Sequence, residues 1–166
     1  MADGRTTAAL DPVVRLYRGV VALGVVGLVI LGLGLGEFFV FEPVGQHSGL
    51  SARVEGVYAY EAASRQVSGR DRAVFKRDEA FAAAVDWSGL PQGQSFGARW
   101  FDSFQTPAGG IGPAHPSDLA RLVPVQKPPG LHFNLPGHYY FVVERFSGGQ
   151  PVEVIASRSV LVELSS

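Results

Sequence analysis

An uninterrupted apolar run near the N-terminus is the feature that most constrains this chain. Residues 19–36, GVVALGVVGLVILGLGLG, contain eleven Val, Leu or Ile residues, six glycines and one alanine, and carry no charge. As an α-helix rising about 1.5 Å per residue, this run spans roughly 27 Å, close to the hydrocarbon thickness of a bilayer. The alternative, a helix buried in a soluble core, needs a larger protein than 166 residues to surround it. The run therefore predicts a transmembrane helix.

The charges that flank the run indicate its orientation. Arg5, Arg15 and Arg18 precede it, whereas Arg53 is the only basic residue among the twenty that follow it. The positive-inside rule then places the N-terminus in the cytoplasm and residues 37–166 in the periplasm or outside the cell. A cleaved signal peptide is the alternative, but its apolar core is usually about 7–15 residues long and ends at a small-residue site. Because this longer core continues into EFFVFEP, we predict an uncleaved signal anchor in the cell (inner) membrane.

The chain divides into four predicted parts. They are a cytoplasmic N-terminal segment, a transmembrane helix with interfacial ends, a short tether and an extracytoplasmic domain, over residues 1–11, 12–42, 43–55 and 56–166. Three phenylalanines after the apolar run would form the aromatic anchor at the far interface and are candidate interface residues: Phe38, Phe39 and Phe41.

Glycines on the predicted helix are candidates for contact with other helices. At about 100° per residue, Gly24, Gly27 and Gly34 fall on one side of the helix. Gly32 and Gly36 form a GxxxG pair on another side. Small residues let helices approach closely, which is how helices associate in lipid. Two such faces favour a helix among several neighbours over a symmetric dimer, although glycine is also common in helices that pack against nothing.

The composition of the rest of the chain excludes several functional classes. Residues 45–166 contain eleven basic and eleven acidic residues, so no basic surface indicates nucleic-acid binding. The chain has no cysteine, which excludes disulfides and thiolate metal sites. The four histidines, at positions 47, 115, 132 and 138, lack the spacing of metal ligands, and no phosphate-binding loop is present. We therefore expect no cofactor and no metal.

From residue 56 onward the pattern changes to short runs typical of β-strands, separated by Gly, Pro, Ser and Asp. About seven short strands with turn signals at this spacing predict an all-β domain, an antiparallel sandwich. The predicted strands lie near residues 57–62, 73–76, 80–87, 96–104, 119–125, 131–135, 138–146 and 152–164. Residues 107–116 are interpreted as a breaker between strands, and a hairpin is predicted across residues 147–151.

Two short motifs resemble those of immunoglobulin-like and fibronectin type III-like domains. The motif PGHYYF is similar to their tyrosine corner, with Tyr139 in the corner position and Phe141 where antibody domains carry a cysteine. FGARW, which ends at Trp100, is similar to the strand that carries the buried tryptophan. The resemblance covers roughly residues 75–164. It implies a bacterial Ig-like sandwich used in adhesion, spacing or docking, and it supplies no catalytic residues.

The strand before the predicted hairpin carries apolar side chains on both faces. Tyr139 and Phe141 alternate with Tyr140, Val142 and Phe146 along it. A sandwich strand needs only one apolar face, so the second face is a candidate docking surface. The alternative is that another part of the chain covers it.

One motif invites a catalytic interpretation. GQSFG, around Ser95, matches the G-x-S-x-G nucleophile elbow of α/β-hydrolases. That elbow needs a strand before the serine and a helix after it, whereas here a Pro-Gln-Gly turn precedes Ser95 and a predicted strand follows. The motif is interpreted as a turn, and no enzyme activity is predicted.

These patterns together lead to a structural hypothesis. We expect a non-catalytic, single-pass accessory subunit whose helix packs among other transmembrane subunits in the lipid bilayer. Its sandwich would brace a larger membrane complex, and accessory subunits of photosynthetic and respiratory complexes share this plan. The alternative is a free-standing, membrane-anchored Ig-like binding module, which would be a receptor, an adhesin or an assembly factor.

Overall fold

The structure, a computed structural model, describes residues 19–28 and 47–164. The chain divides into two units, residues 1–40 and residues 41–166. Residues 19–28 are helical, and their large apolar side chains are exposed, from 46% for Val21 to 79% for Leu23. No helix within the described ranges is both long and apolar enough to cross a membrane.

Several predicted features of the N-terminal part lie outside the described residues. They are the rest of the predicted helix and its flanks, three of its glycines and the aromatic anchor, namely Gly32, Gly34, Gly36, Phe38, Phe39 and Phe41.

The described part of the second unit forms nine β-strands and a short 3₁₀ helix, Pro116–Asp118. The strands are β1 (Arg53–Glu61), β2 (Gln66–Ser68), β3 (Val74–Lys76), β4 (Phe81–Asp86), β5 (Ser95–Phe101), β6 (Pro107–Ala114), β7 (Leu122–Pro124), β8 (Gly137–Ser147) and β9 (Gln150–Glu163). The first sheet has the order β2-β1-β4-β7 and the second the order β3-β9-β8-β5-β6. Strand β3 runs parallel to β9, and the other pairs are antiparallel.

The predicted hairpin between β8 and β9 is confirmed. Ser147 pairs with Gln150 in register, so Gly148 and Gly149 form a two-residue loop. Both glycines have positive φ, 59° and 78°, as the tight turns that match the twist of paired strands require.

The hydrophobic core lies between the two sheets. Phe81 of β4, in the first sheet, contacts two rings of the second sheet edge to face, with centroid distances of 5.4 Å to Trp100 and 5.7 Å to Tyr139. Trp100 also lies 4.9 Å from Phe141. All four side chains are fully buried. The two sheets therefore pack face to face, as the strand pattern predicted.

The structure corrects the predicted strands in four places. Strand β6 forms where a breaker was expected, since prolines and glycines are tolerated in an edge strand. A Cβ at Gly110 would lie 2.7 Å from the Ala98 carbonyl oxygen, so glycine permits the close approach of β5. Residues 131–135 form no strand, and β2 was not predicted. Strand β1 begins at Arg53, inside the segment expected to be a tether.

Candidate interaction site

The three residues expected to define the fold lie together in the core. The Trp100 Nε1–H donates to the Val123 carbonyl oxygen at 2.9 Å, and its ring packs on Phe141. The Tyr139 hydroxyl accepts a hydrogen bond of 3.0 Å from the N–H of Leu135, just before β8. Burial raises the pKa of Tyr139 to about 12. This hydroxyl is therefore neutral and fixes the connection that leads into β8.

Of the three residues expected to form a docking surface on the outer face of β8, the structure buries Val142. Val142 is 1% exposed, and Tyr140 and Phe146 are only half-buried. Arg99 of β5 lies opposite Val142 and reaches along the sheet to Glu144, with 2.6 Å between Nε and Oε2. Arg99 is thereby paired with a carboxylate on the same strand as Val142. Val142 consequently offers no surface for docking, which corrects the expectation from strand alternation.

The hydrogen bond to Glu144 also affects Arg99 itself. It raises the pKa of the Arg99 guanidinium, against the opposing effect of burial. The Arg99 guanidinium therefore stays charged at neutral pH.

Two of the five candidate helix-packing glycines are described, and both are open. A Cβ added at Gly24 or Gly27 would meet no atom within 4 Å. Both positions have room for a close neighbour.

The residues that lead into β1 are bonded to β9. The Ser48 N–H donates to Glu153 Oε1 at 2.7 Å, and the Ala52 N–H donates to the Ile155 carbonyl oxygen at 3.2 Å. Arg145 Nε donates to the other oxygen of Glu153 at 2.8 Å. Burial alone would raise the pKa of Glu153, but the hydrogen bonds from Ser48 and Arg145 outweigh it and lower the pKa. The start of the domain is thus held by a buried, ionised carboxylate.

A second carboxylate joins the two sheets. Asp71 lies in the segment that crosses from β2 in the first sheet to β3 in the second. Its Oδ1 accepts the Val57 N–H of β1 at 2.8 Å, and its Oδ2 accepts Arg158 of β9 at 2.6 Å. These bonds connect strands that no disulfide could connect, since the chain has no cysteine.

The residues with catalytic or metal-binding potential are not assembled into a site in the part described. Ser95 begins β5, so a strand follows it where the nucleophile elbow needs a helix. No group of three His, Asp or Glu side chains among residues 19–28 and 47–164 is placed to hold a metal ion. A cleft of about 570 Å³ beside β3 is lined largely by charged side chains, and two of them, Arg72 and Glu79, form a salt bridge.

Sequence reasoning missed Glu153 and Asp71. The only sequence signal for Glu153 was that it shares a strand face with the apolar Ile155. A carboxylate on a buried face needs a polar partner. Asp71 stands between two arginines in a Gly-containing segment, a pattern typical of an exposed loop.

Comparison with protein-family models gives no match for this chain, and comparison with curated proteins gives no match either.

Proposed function

We propose that this protein is a non-catalytic, single-pass membrane subunit whose β-sandwich braces a larger membrane complex. The observation that carries the proposal is the fixed start of the sandwich, where Ser48 and Ala52 are bonded to β9. Only eleven residues, 37–47, separate the apolar run from the first of these bonds. A short connection into a fixed point suits a domain that holds a position better than one that searches for a ligand.

The membrane part of the proposal rests on the apolar run. Its described portion, residues 19–28, is helical and leaves Leu23 79% and Leu28 69% exposed. Exposing such side chains to water is unfavourable, whereas lipid or neighbouring helices would accept them. Open space at Gly24 and Gly27 gives neighbouring helices room for close approach. By the positive-inside rule, the N-terminus is cytoplasmic and the sandwich is periplasmic or extracellular.

An Ig-like fold for the sandwich is supported by its strand order and by two core residues. Strand β3 pairs in parallel with the last strand, and β1 pairs with β4 in the opposite sheet. The buried Trp100 lies on β5, and the Tyr139 hydroxyl bonds to the backbone upstream of β8, as in a tyrosine corner. Domains of this type serve in spacing and docking, which fits a bracing role.

The type of complex is proposed by analogy of plan. One glycine-rich helix followed by a small domain without cofactor ligands is the plan of accessory subunits in photosynthetic and respiratory complexes. The expected partners are therefore transmembrane subunits of such a complex.

An Ig-like binding module anchored alone in the membrane is the second candidate. The cleft beside β3 favours it, because its volume of about 570 Å³ is within the range of small-ligand sites. The salt bridge between Arg72 and Glu79 uses part of its charged lining and weakens this candidate.

One experiment distinguishes the bracing subunit from the binding module. The tagged full-length protein is purified in mild detergent, and the eluate is analysed by mass spectrometry and by its absorption spectrum. We expect other transmembrane subunits in a fixed ratio to the protein. A monodisperse, colourless protein that purifies alone would refute the bracing role and favour the binding module.

Substitutions in the helix sharpen this experiment. Gly27→Leu and Gly32→Leu should lower recovery of the partner subunits without impairing membrane insertion, because a large side chain blocks close approach. Val26→Leu is the matched control, since it changes the helix surface at a position that is already large. Equal recovery with all three variants would remove the role of the glycine faces.

A further inference from the structure

One buried side chain in the connection before β8 carries an unpaired acceptor. Asn134 is 0% exposed, and its Oδ1 is the one buried side-chain nitrogen or oxygen atom in the described ranges that makes no hydrogen bond. In folded proteins, buried polar atoms are nearly always paired, either with the chain or with ordered water. Asn134 Oδ1 therefore points to a hydrogen-bond donor beyond the described residues.

The other bonds of Asn134 set the orientation of its amide. Its Nδ2 donates to the Glu79 carbonyl oxygen at 2.8 Å, and its backbone N–H donates to the Arg77 carbonyl oxygen at 2.6 Å. Exchanging Oδ1 and Nδ2 would bring two acceptors together at Glu79 and leave the amide hydrogens without a partner. Oδ1 therefore keeps its position, and the group that satisfies it has to be a donor.

An unused donor belongs to the group that bonds the next residue. The N–H of Leu135, which follows Asn134, donates to the Tyr139 hydroxyl at 3.0 Å. That hydroxyl is neutral and belongs to a fully buried side chain, so it keeps a hydrogen to donate. The structure gives this hydrogen no acceptor among the described residues, and no direct hydrogen bond joins Tyr139 to Asn134. One acceptor and one donor are thus left over around two consecutive residues.

Two turns hold the connection that carries Asn134. The Phe104 turn, residues 102–106 between β5 and β6, bonds to it through Ser103, whose Oγ donates to the Pro136 carbonyl oxygen at 3.2 Å. A Cβ at Gly137 would lie 2.6 Å from the Ser103 Cβ, so this turn packs closely on the connection. The segment between β3 and β4 holds Asn134 itself through the carbonyl groups of residues 77 and 79. A molecule bound at Asn134 Oδ1 is therefore separated from bulk solvent.

The charges near Asn134 favour a neutral ligand. The Arg77 guanidinium lies over the ring of Phe133, 3.8 Å from its centroid, and Lys127 Nζ donates to the His132 carbonyl oxygen at 2.7 Å. Two positive charges at the residues that precede Asn134 disfavour a metal ion or an ammonium ion at Oδ1. A water molecule is neutral, is the smallest group that both donates and accepts, and is the usual partner of buried polar atoms that the chain leaves unpaired.

We propose that one buried water molecule binds at Asn134, where it donates a hydrogen bond to Oδ1 and accepts the hydrogen of the Tyr139 hydroxyl. The water joins the connection before β8 to the ring that anchors β8 in the core. This inference does not depend on the proposed membrane role.

The sequence makes a direct test possible, because Asn134 is the only asparagine of the chain. Full-length protein labelled with ¹⁵N-asparagine in detergent micelles gives a single side-chain amide in its NMR spectrum. We expect nuclear Overhauser cross-peaks between this amide and water with the sign of a long-lived complex. Gln94→Asn is the control, since Gln94 is exposed and the variant adds an amide that contacts only bulk water. Equally weak water signals at both amides would overturn the inference.

A pair of variants tests the hydroxyl as the second partner of the water. Tyr139→Phe should abolish the water cross-peak at Asn134, whereas Tyr58→Phe, which removes a hydroxyl elsewhere in the sandwich, should leave it unchanged. An unchanged cross-peak in Tyr139→Phe would refute the bridge.

A crystal structure of the full-length protein, at a resolution that shows ordered water, identifies the partners directly. We expect density for one water at a distance of about 2.7–3.2 Å from both Asn134 Oδ1 and the Tyr139 hydroxyl oxygen. A protein donor bonded directly to Oδ1, a metal ion in that density, or a water that contacts only one of the two groups would contradict the inference.

Discussion

Replacing Tyr139 with phenylalanine tests how the sandwich is held at the start of β8. The hydroxyl accepts the Leu135 N–H at 3.0 Å in a side chain that is 0% exposed. Tyr139→Phe keeps the ring in the core but leaves the N–H of Leu135 without its partner. A lost hydrogen bond of this kind costs about 1–2 kcal/mol of the free energy of unfolding. We expect that loss at pH 7.

The same variant should respond differently to alkaline pH. The pKa of Tyr139 is about 12 in the folded protein and about 10 when the chain unfolds. Between these values the unfolded state has lost the proton and the folded state keeps it, so stability falls as pH rises. At pH 11 this loss amounts to about 1.4 kcal/mol for the wild type. Tyr139→Phe has no proton to lose, so the two stability curves should meet near pH 11.

Denaturant titration of the full-length protein in detergent, followed by tryptophan fluorescence, measures this difference. Both tryptophans of the chain, Trp87 and Trp100, are buried in the sandwich, so the helix does not contribute to the signal. Tyr58→Phe is the control, because Tyr58 is only half-buried and its hydroxyl makes a longer bond of 3.3 Å. Equal stability of wild type and Tyr139→Phe at pH 7, or a constant difference from pH 7 to pH 11, would refute the reasoning.

Two carboxylates carry further predictions. Glu153→Gln should lower the free energy of unfolding by about 2 kcal/mol in the same titration. The loss is smaller than for a fully buried ion pair because the Arg145 side chain is 14% exposed. The substitution should also speed hydrogen exchange at the Ser48 N–H. The lowered pKa of Glu153 means that its contribution is present above the ordinary carboxyl pKa and is lost as pH falls through the lowered value. Asp71→Ala should destabilise more than Asp71→Asn, since only alanine leaves the Val57 N–H without an acceptor. Equal effects of these two substitutions would contradict that assignment.

Sequence patterns predicted the strands whose side chains alternate and failed where position in the sheet decided the outcome. Strands β8 and β9 are long and rich in Val and aromatic residues, so their pattern is local. The β6 sequence, PAGGIGPA, has two prolines and no alternation, and only its place at a sheet edge allows a strand. In residues 131–135 the alternation is present, but the backbone N–H groups of Asn134 and Leu135 bond to Arg77 and Tyr139 instead.

Local sequence patterns also failed to predict which candidate surface residues are exposed. Strand alternation placed Val142 on the outer face of β8, but alternation does not reveal that this side chain is buried, with Arg99 opposite it on the neighbouring strand. Phe104 was included in a predicted strand that ended at residue 104, because the signal of Asp102 as a turn-forming residue was outweighed by the aromatic residues around it. Which residues face each other across strands depends on contacts between distant parts of the chain.

The Ser48 attachment and the Phe104 turn lie at opposite ends of the second sheet, so the sheet fixes the distance between them. Glu153 and Val162 are nine residues apart along β9, which corresponds to about 30 Å in a strand. The Phe104 turn therefore lies about that far from the point where the chain enters the sandwich.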